Sequence, residues 1–384
     1  MDARVAEKSK TKPAEPAPLI IRRVDVIPVA LPLKKPMAMA GITIAHAHNI
    51  LVRIEAADGT VGWGEAASAP TMTGDTLGGL VAAVRDHLAP LIVGKDAWTR
   101  PAIGKMLHRA LIGNTGAHSA VEMALFDLAG RAAGVSVIDM IGGARRGQVA
   151  PMWLLGNPTP QADIAEAHAK EREGFHFFKL KIGTKAIEKE IAATHELRAA
   201  LGPKVPLCAD ANCGLNLADA RRYVTETRNA GLIFVEQPLP PEQLDELATL
   251  TKNSPVPIGA DEAIHSMADL DQQAHCGVGG VSLKLIKLGG MTAALEAAQR
   301  CQDLKLSVNI AAKIAESSLA SAAAVHLACA VPVIDWGVSL THFYLAEDIV
   351  RRPLGLSDGA VALPAGQGLG VEVDEAAVAR VRVN

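Results

Sequence analysis

The stretch that decides the fold is residues 178–287, which begins Phe178-Lys179-Leu180-Lys181-Ile182-Gly183. Short apolar runs in this stretch end repeatedly at a charged residue, and segments with helical spacing of apolar residues, such as 184–201, lie between them. Successive charged residues are 23 to 29 positions apart, close to the length of one strand plus one helix. They are Lys181, Asp210, Glu236, Asp261 and Lys284. This alternation predicts an α/β fold, a parallel barrel whose strands end at one mouth, where active sites lie.

Residues 19–147, which precede the barrel, have a different pattern. Strand-like runs at 20–29, 49–55 and 60–64 come first, and a turn at 57–59 joins the last two. Helical spacing follows at 77–92 and 117–133, with Gly134 placed to end the second helix. Strands followed by helices predict a separate α+β domain.

Three further segments complete the predicted organisation. Residues 148–345 form the barrel domain, and residues 346–384 are short and strand-like. The last segment is too small for its own core, so we expect it to pack back on the first domain. Residues 1–18 predict a loosely ordered tail, which resembles neither a secretory signal nor a transit peptide.

Composition narrows the function classes. The chain has 384 residues, 49% hydrophobic and 21% charged, with a formal net charge of −3, so neither a nucleic-acid nor a membrane partner is expected. Five cysteines without paired spacing argue against disulfides and for a reducing, cytoplasmic location. Cys208 and Cys213 are close together, but the sequence lacks the second ligand pair that a zinc site needs.

The charged strand ends predict a particular chemistry. Asp210, Glu236 and Asp261 would repel one another without a cation, and oxygen ligands suit Mg²⁺ or Mn²⁺. Such an ion would bind a small carboxylate substrate and stabilise the charge that appears when the α-carbon loses a proton. Lys179 and Lys181 share one strand face, and a lysine beside a cation and a second lysine has a lowered pKa.

Each of these features has a simpler interpretation when taken alone. A Lys-x-Lys pair on a strand is usually a solvated edge, and an Asp after a strand is usually a helix N-cap. The regular recurrence over five strands favours a site instead. Side-chain alternation turns Lys287 away from Lys284, which predicts a structural role, and places Glu262 away from Asp261 or behind the metal ligands.

These motifs resemble the enolase superfamily, in particular its muconate-lactonizing (muconate cycloisomerase) subgroup. The resemblance covers the chain from about residue 19 onward and includes Val61-Gly62-Trp63-Gly64-Glu65-Ala66 and Trp336-Gly337-Val338-Ser339-Leu340. A histidine in place of Lys284 would instead have indicated the mandelate-racemase subgroup. The resemblance implies a modified TIM barrel, (β/α)7β, under an α+β capping domain completed by the C-terminal segment, in a protein that is commonly a homo-oligomer.

The resemblance also implies roles for single residues. Asp210, Glu236 and Asp261 would hold the metal, Lys181 would be the acid/base on one face, and Lys284 its counterpart on the other. Three further residues would assist: Lys179 tunes Lys181, Glu316 is a hydrogen-bonding glutamate at the seventh strand, and Asn212 orients the ligands from behind.

Substrate choice would lie in two capping loops, at residues 36–49 and 66–74. Neither contains Arg or Lys, so the distal carboxylate of a muconate would need His46, His48, a backbone N–H group, or the nearby Lys34 and Lys35. The expected reaction is a muconate-type cycloisomerisation. A racemase or epimerase of an N-substituted or cyclic amino acid or dipeptide remains open, although Asp335 lacks the Asp-x-Asp pattern of dipeptide epimerases.

Two hypotheses come from other classes. A lysine at a barrel mouth could attack a carbonyl as a Schiff-base aldolase does. A non-catalytic relative could serve in binding or assembly, but the intact set of lysines and carboxylates disfavours that hypothesis.

Overall fold

The computed structural model describes residues 17–39 and 42–384. Most of the predicted tail at residues 1–18 lies outside these residues. The first domain opens with an antiparallel sheet in the order β1-β2-β3. Its strands are β1 (Ile21–Met39), β2 (Ile42–Ala56) and β3 (Val61–Ala67).

The first two strands are longer than the sequence pattern predicts. The first capping loop, expected at residues 36–49, is strand wherever it is described: Met37 pairs with Ile44, and Met39 with Ile42. Residues 40 and 41 lie outside the described residues. A register shift between Pro32 and Met37 lets the ladder continue past the prolines, and the β-branched run from Ile42 to Ile44 suits a strand. The expectation of a loop over 36–49 was therefore wrong.

Five helices follow the capping sheet along the chain. They are α1 (Leu77–Ala82), α2 (Ala89–Ile92), α3 (Arg100–Ala110), α4 (Thr115–Ala133) and α5 (Val137–Met140). A π-helical turn, Ala83–Leu88, joins the first two, and a 3-10 turn, Ala97–Thr99, precedes α3. Gly134 ends α4 in the left-handed conformation, as predicted.

Close contact between β3 and α4 explains the glycines of the Val-Gly-Trp-Gly-Glu motif. A Cβ atom at Gly62 would lie 2.3 Å from the carbonyl oxygen of Ala124, and one at Gly64 would lie 2.0 Å from that of Ala120. Any side chain at either position would therefore push the helix off the sheet. This contact fixes the position of Glu65, which follows directly.

The barrel is a parallel sheet of eight strands in the order β12-β11-β10-β9-β8-β7-β6-β5. A parallel bridge between Pro151 and Val338 joins its first and last strands. The elements from the end of the capping domain are β4 (Gln148–Val149), β5 (Trp153–Leu155), α6 (Pro160–Glu173), β6 (Phe178–Lys181), α7 (Ile187–Leu201), β7 (Leu207–Asp210), α8 (Leu217–Glu226), β8 (Val235–Glu236), α9 (Leu244–Asn253), β9 (Ile258–Ala260), α10 (Met267–His275), β10 (Gly280–Leu283), α11 (Leu285–Leu288), α12 (Met291–Leu304), β11 (Ser307–Ala311), α13 (Ser318–Ala330) and β12 (Val338–Ser339).

Every barrel strand except the last is followed by helix, so the (β/α)7β barrel is confirmed. Two short 3-10 turns are also present: Arg228–Ala230 precedes β8, and His342–Tyr344 follows β12. The run expected to be strand over 280–286 is strand only to Leu283, because α11 begins directly after Lys284. Inside the barrel, Phe234 stacks on Trp336 with ring centroids 4.1 Å apart.

The C-terminal segment is less strand-like than predicted. It holds one two-residue strand, β13 (Val361–Ala362), which pairs with β4, and a helix, α14 (Glu375–Val381). Asp374 caps this helix, and its sequence is rich in good helix formers. Beyond it, Arg382 bridges to Val29 and the Val383 N–H donates to the Pro28 carbonyl at 3.0 Å, so the segment reaches β1.

Across the described ranges, no helix has the length and apolar character needed to span a bilayer.

Candidate active site

The strand ends bring the predicted charged residues to one mouth of the barrel. Asp210 and Glu236 are the last residues of β7 and β8, and they are partners in the parallel ladder. Asp261 follows β9 directly, and Lys284 follows β10 directly. Lys179 and Lys181 lie on β6, which is four strands from β10 in the sheet order. In a closed barrel of eight strands, β6 and β10 therefore face each other.

A cavity of about 200 Å³ opens at this mouth. Thr71 and Met72 of the second capping loop contribute to its wall, as the prediction for residues 66–74 requires. The His265 Nε2 atom lies 2.8 Å from the Met72 carbonyl and holds this loop against the barrel. The charged lining residues are Lys179, Lys181, Asp210, Asp261, Glu262, Lys284 and Lys313.

Three ion pairs dominate the site. The Lys181 Nζ atom donates to Asp210 Oδ2 at 2.5 Å. Lys179 donates to Glu236, and Lys284 donates to Asp261. Because each pair joins residues from different strand ends, the charges also fix the strand ends relative to one another.

Nearby carboxylates raise the pKa values of two lysines at the site. Burial lowers the pKa of Lys179, but the charges of Glu236 and Asp210 outweigh burial, so the pKa is raised. The pKa of Lys284 is raised in the same way by Asp261 and Glu262. At Lys179 the nearby carboxylates therefore set the direction of the pKa shift.

A hydrogen-bonded chain extends from Lys181. Its Nζ atom donates to Asn212 Oδ1 at 2.8 Å, and Asn212 Nδ2 donates to Glu262 Oε1 at 2.9 Å. Asn212 has a φ of 42°, a left-handed conformation that is costly for a residue with a side chain and is typical of functional sites. Asn212 thus links the predicted acid/base to Glu262, which lines the cavity instead of facing away.

The Glu262 carboxyl group lies beside other carboxylates and has too few donors around it. Its Oε2 atom is buried and has no hydrogen-bond partner among the described residues. Burial, followed by the negative charges of Asp261 and Asp210, raises the pKa of Glu262 to about 7. A cation beside these carboxylates would relieve the repulsion, and oxygen donors of this kind suit Mg²⁺ or Mn²⁺.

The donor chemistry therefore fits a divalent ion, although the side chains are turned towards the lysines. Within residues 17–39 and 42–384, no three Asp, Glu, His or Cys side chains converge as a metal site in this conformation. Asp210, Glu236 and Asp261 are each almost completely buried at adjacent strand ends. Their assignment as metal ligands stays a prediction.

Two residues that the sequence pattern did not assign to the site hold Asp261 in place. Lys287 is fully buried and donates to Asp261 Oδ1 at 2.6 Å and to the Ser282 carbonyl at 3.1 Å. Gln237 accepts from the Asp261 N–H at 2.8 Å. Both follow strands at positions that look like ordinary turn residues, and only the folded geometry aims them at Asp261.

The predicted hydrogen-bonding residue Glu316 lies in the segment between β11 and α13. Its backbone N–H donates to Thr341 Oγ1 at 3.0 Å, and its side chain is buried. Burial, followed by the charge of Glu65, raises the pKa of Glu316 to about 8. The carboxyl group is therefore largely protonated near neutral pH and can donate a hydrogen bond.

Glu65 of the capping domain anchors this same segment. Its buried carboxylate accepts from the Ser317 N–H at 3.0 Å, the Ala320 N–H at 3.1 Å and Asn49 Nδ2 at 2.7 Å. The first two donors belong to the start of α13. The Trp63-Gly64-Glu65 stretch thus positions the Glu316 segment from the other domain.

Several other candidates lie elsewhere. His46 and His48 are exposed on β2. Asp335 accepts from the Val308 N–H at 3.0 Å, near the amino end of β11 and hence at the opposite end of the strand from the mouth. Cys208 is buried on β7, and all five cysteines are free.

Comparison with known proteins agrees with this geometry. Residues 162–377 match the family described as "Enolase C-terminal domain-like", and residues 21–142 match the "Mandelate racemase / muconate lactonizing enzyme, N-terminal domain". Chloromuconate cycloisomerase CbnB of Cupriavidus necator is 30% identical over 359 residues, which cover 92% of this chain and 96% of that protein. Muconate cycloisomerase 1 of Rhodococcus opacus is 32% identical over 365 residues, which cover 94% and 98%.

A solved structure gives the same result for the fold. The muconate lactonizing enzyme from Pseudomonas fluorescens, complexed with muconolactone, matches with a TM-score of 0.93 at 28% sequence identity. The match covers 96% of this chain and 100% of that one. The chain therefore belongs to the mandelate racemase / muconate lactonizing enzyme family of the enolase superfamily, and it is an enzyme of the isomerase type.

Proposed function

We propose that this enzyme is a metal-dependent cycloisomerase that closes a muconate-type dicarboxylate to a lactone. The observation that carries the proposal is the placement of Lys181 and Lys284 at one cavity, on strands that face each other across the barrel. A carboxylate substrate between them would have a proton donor or acceptor on either side. The relatives that support this choice are named as muconate and chloromuconate cycloisomerases.

Enzymes of the family use a divalent metal ion, and we propose Mg²⁺ or Mn²⁺ held by Asp210, Glu236 and Asp261. When bound, the ion would stabilise the negative charge that develops beside the substrate carboxylate. The mutual repulsion of the carboxylates and the unpartnered Glu262 Oε2 atom support a cation at this position.

In the proposed reaction, an oxygen of one carboxylate adds to the diene while the carbon α to the other carboxylate takes up a proton. We assign that proton to the Lys181 ammonium group, which Asp210 and Asn212 hold in place. Lys284 would supply positive charge on the other face. Lys179, paired with Glu236, would keep the strand end rigid, and Glu316 would donate a hydrogen bond.

The test is incubation with cis,cis-muconate and Mg²⁺ in deuterated water, followed by NMR. We expect a lactone that carries one deuterium at the carbon α to the free carboxylate. Muconate that stays unchanged, while a library of other dicarboxylates also gives no lactone, would exclude the cycloisomerase proposal.

The same pair of lysines supports a second candidate, a racemase or epimerase of an N-substituted or cyclic amino acid or dipeptide. Inversion needs one group to remove the α-proton and another to return it on the opposite face, and Lys181 and Lys284 have that arrangement. Deuterium exchange with inversion of an N-acyl amino acid, without any lactone, would favour this candidate.

The Schiff-base alternative is less well supported, because that chemistry needs a neutral amine and the pKa values of Lys179 and Lys284 are raised. We also propose a cytoplasmic location, supported by five free cysteines, and assembly into a homo-oligomer. Size-exclusion chromatography with light scattering would test the assembly.

A further inference from the structure

One lysine at the cavity differs from the rest. Lys179, Lys181 and Lys284 each form an ion pair with a carboxylate. Lys313, which lines the same cavity, forms none with any described residue. We propose that Lys313 binds a second anionic group of the substrate and so sets the enzyme's preference for dianions. This inference rests on the proposed function, because it takes the first carboxylate to bind among the charged strand ends.

The position of Lys313 suits this role. It lies two residues beyond β11 in a stretch of the cavity wall that is otherwise uncharged and consists of Ala311, Ala312 and Ile314. Its Nζ atom donates to the Ile314 carbonyl at 2.8 Å, a neutral partner that leaves further N–H groups available. An ammonium group in these surroundings lacks a counter-charge that a ligand could supply.

The charges that face Lys313 agree with this conclusion. Burial and the positive charge of Lys284 lower its pKa to about 8, and only Glu316 acts in the opposite direction. Glu316 itself has a raised pKa, so it offers little negative charge near neutral pH. A bound carboxylate would therefore be the strongest counter-charge available to Lys313, and binding would hold the lysine in its charged form.

Other basic residues near the mouth are less suited to this role. Lys35 is paired with Glu166 at 2.6 Å, and Lys34, which donates to the Phe343 carbonyl at 3.0 Å, does not line the cavity. His46 and His48 are exposed on β2. Among the candidates for the distal carboxylate, Lys313 is thus the one that combines a place in the cavity wall with an uncompensated charge.

The experiment compares two unreactive six-carbon probes, adipate with two carboxylates and hexanoate with one. Their dissociation constants are measured by calorimetry, with Mg²⁺ present, for the native enzyme, Lys313→Met and Lys313→Arg. Native enzyme should bind adipate about 10–100-fold more tightly than hexanoate, the range expected for one charge-assisted hydrogen bond. Lys313→Met should lose this preference and Lys313→Arg should keep most of it.

Lys185→Met is the matched control, because Lys185 is an exposed lysine whose Nζ atom donates to the Asn157 carbonyl at 3.1 Å. It should keep the preference for adipate. A native enzyme without the preference, or Lys313→Met that retains it, would overturn the inference.

Lactone formation from muconate is scored separately on the native enzyme. Lactone without a Lys313-dependent preference would refute the role of Lys313 and leave the cycloisomerase intact. A Lys313-dependent preference without lactone would support the role of Lys313 and count against the cycloisomerase.

Discussion

The two sides of the barrel mouth are built differently. On the side formed by β6, β7 and β8, lysines and carboxylates pair one to one: Lys181 with Asp210, and Lys179 with Glu236. On the side formed by β9, β10 and β11, Asp261 receives two lysines, Lys284 and Lys287, while Lys313 has no carboxylate partner among the described residues. The charges on the first side, called the balanced side below, neutralise one another. On the second side, within the described part of the chain, Lys313 lacks a counter-charge, which a ligand could supply.

This difference suggests a division of labour. The balanced side can hold Lys181 in a fixed position, because Asn212, which is not a predicted metal ligand, accepts from its Nζ atom in addition to Asp210. The other side carries charged groups whose pKa values are shifted by burial, Glu316 and Lys313 among them, and these respond to the charge of what enters.

The largest expected effect is on catalysis, and it comes from comparing Lys181 on the balanced side with Lys284 on the other side. Lys181→Ala should lower lactone formation about 10²–10⁴-fold, because the proposed proton donor is lost. Lys284→Ala should cost less, since charge there assists without moving the proton. Initial rates with muconate check this, and Lys185→Ala is the control. Equal losses at both lysines would indicate that both transfer protons, as in a racemase.

A second prediction concerns the two lysines on Asp261. Lys287→Met should destabilise the protein by about 1–3 kcal/mol, because the Asp261 Oδ1 atom and the Ser282 carbonyl lose their buried donor while Lys284 still neutralises Asp261. Urea unfolding measures the free energy of unfolding, with the surface variant Lys252→Met as the control. A loss below about 1 kcal/mol, the value typical of an exposed ion pair, would contradict the structural role of Lys287.

A third prediction concerns Asn212, which accepts a hydrogen bond from Lys181 on the balanced side. Asn212→Ala removes the acceptor for Lys181 and the donor to Glu262, and should lower kcat about 10–100-fold with little change in KM. A change confined to KM would mean that Asn212 contacts the substrate instead of positioning Lys181.

The smallest effect is a pH dependence on the other side. The pKa of Glu316, raised to about 8, means that the folded protein holds a proton there that the unfolded chain loses above about pH 4.5. Stability should therefore fall as pH rises from about 4.5 to 8. Glu316→Gln should flatten this fall, raising Tm by a few degrees near pH 8 and hardly at all near pH 5. Parallel Tm curves for the two proteins would show that Glu316 does not titrate in this range.

The same comparison shows what the sequence could predict. On the balanced side the residues predicted from strand spacing, Lys181, Asp210 and Glu236, each end their own strand. On the other side the same spacing predicted Asp261 and Lys284, which directly follow their strands, whereas Lys287, Lys313 and Glu316 lie in turns and short helical segments. Their direction depends on tertiary contacts, such as the one that Glu65 makes to α13, which local pattern cannot reveal.

The capping domain shows the same limit. The strands of β1 and β2 were predicted where apolar and polar residues alternate, but their extension to Met39 and from Ile42 depends on pairing with each other. The C-terminal helix α14 was missed, because a seven-residue helix depends on packing more than on its own propensity.

The bridge between Val29 and Arg382 has a consequence for the order of folding. During synthesis, β1 leaves the ribosome early and its last partner leaves near the end, with all the barrel strands made in between. Pairing across so long a stretch of chain costs more entropy than pairing between neighbours and therefore forms late. We expect the barrel and the β1–β2 hairpin to form first and the C-terminal residues to close the exposed edge of β1 last.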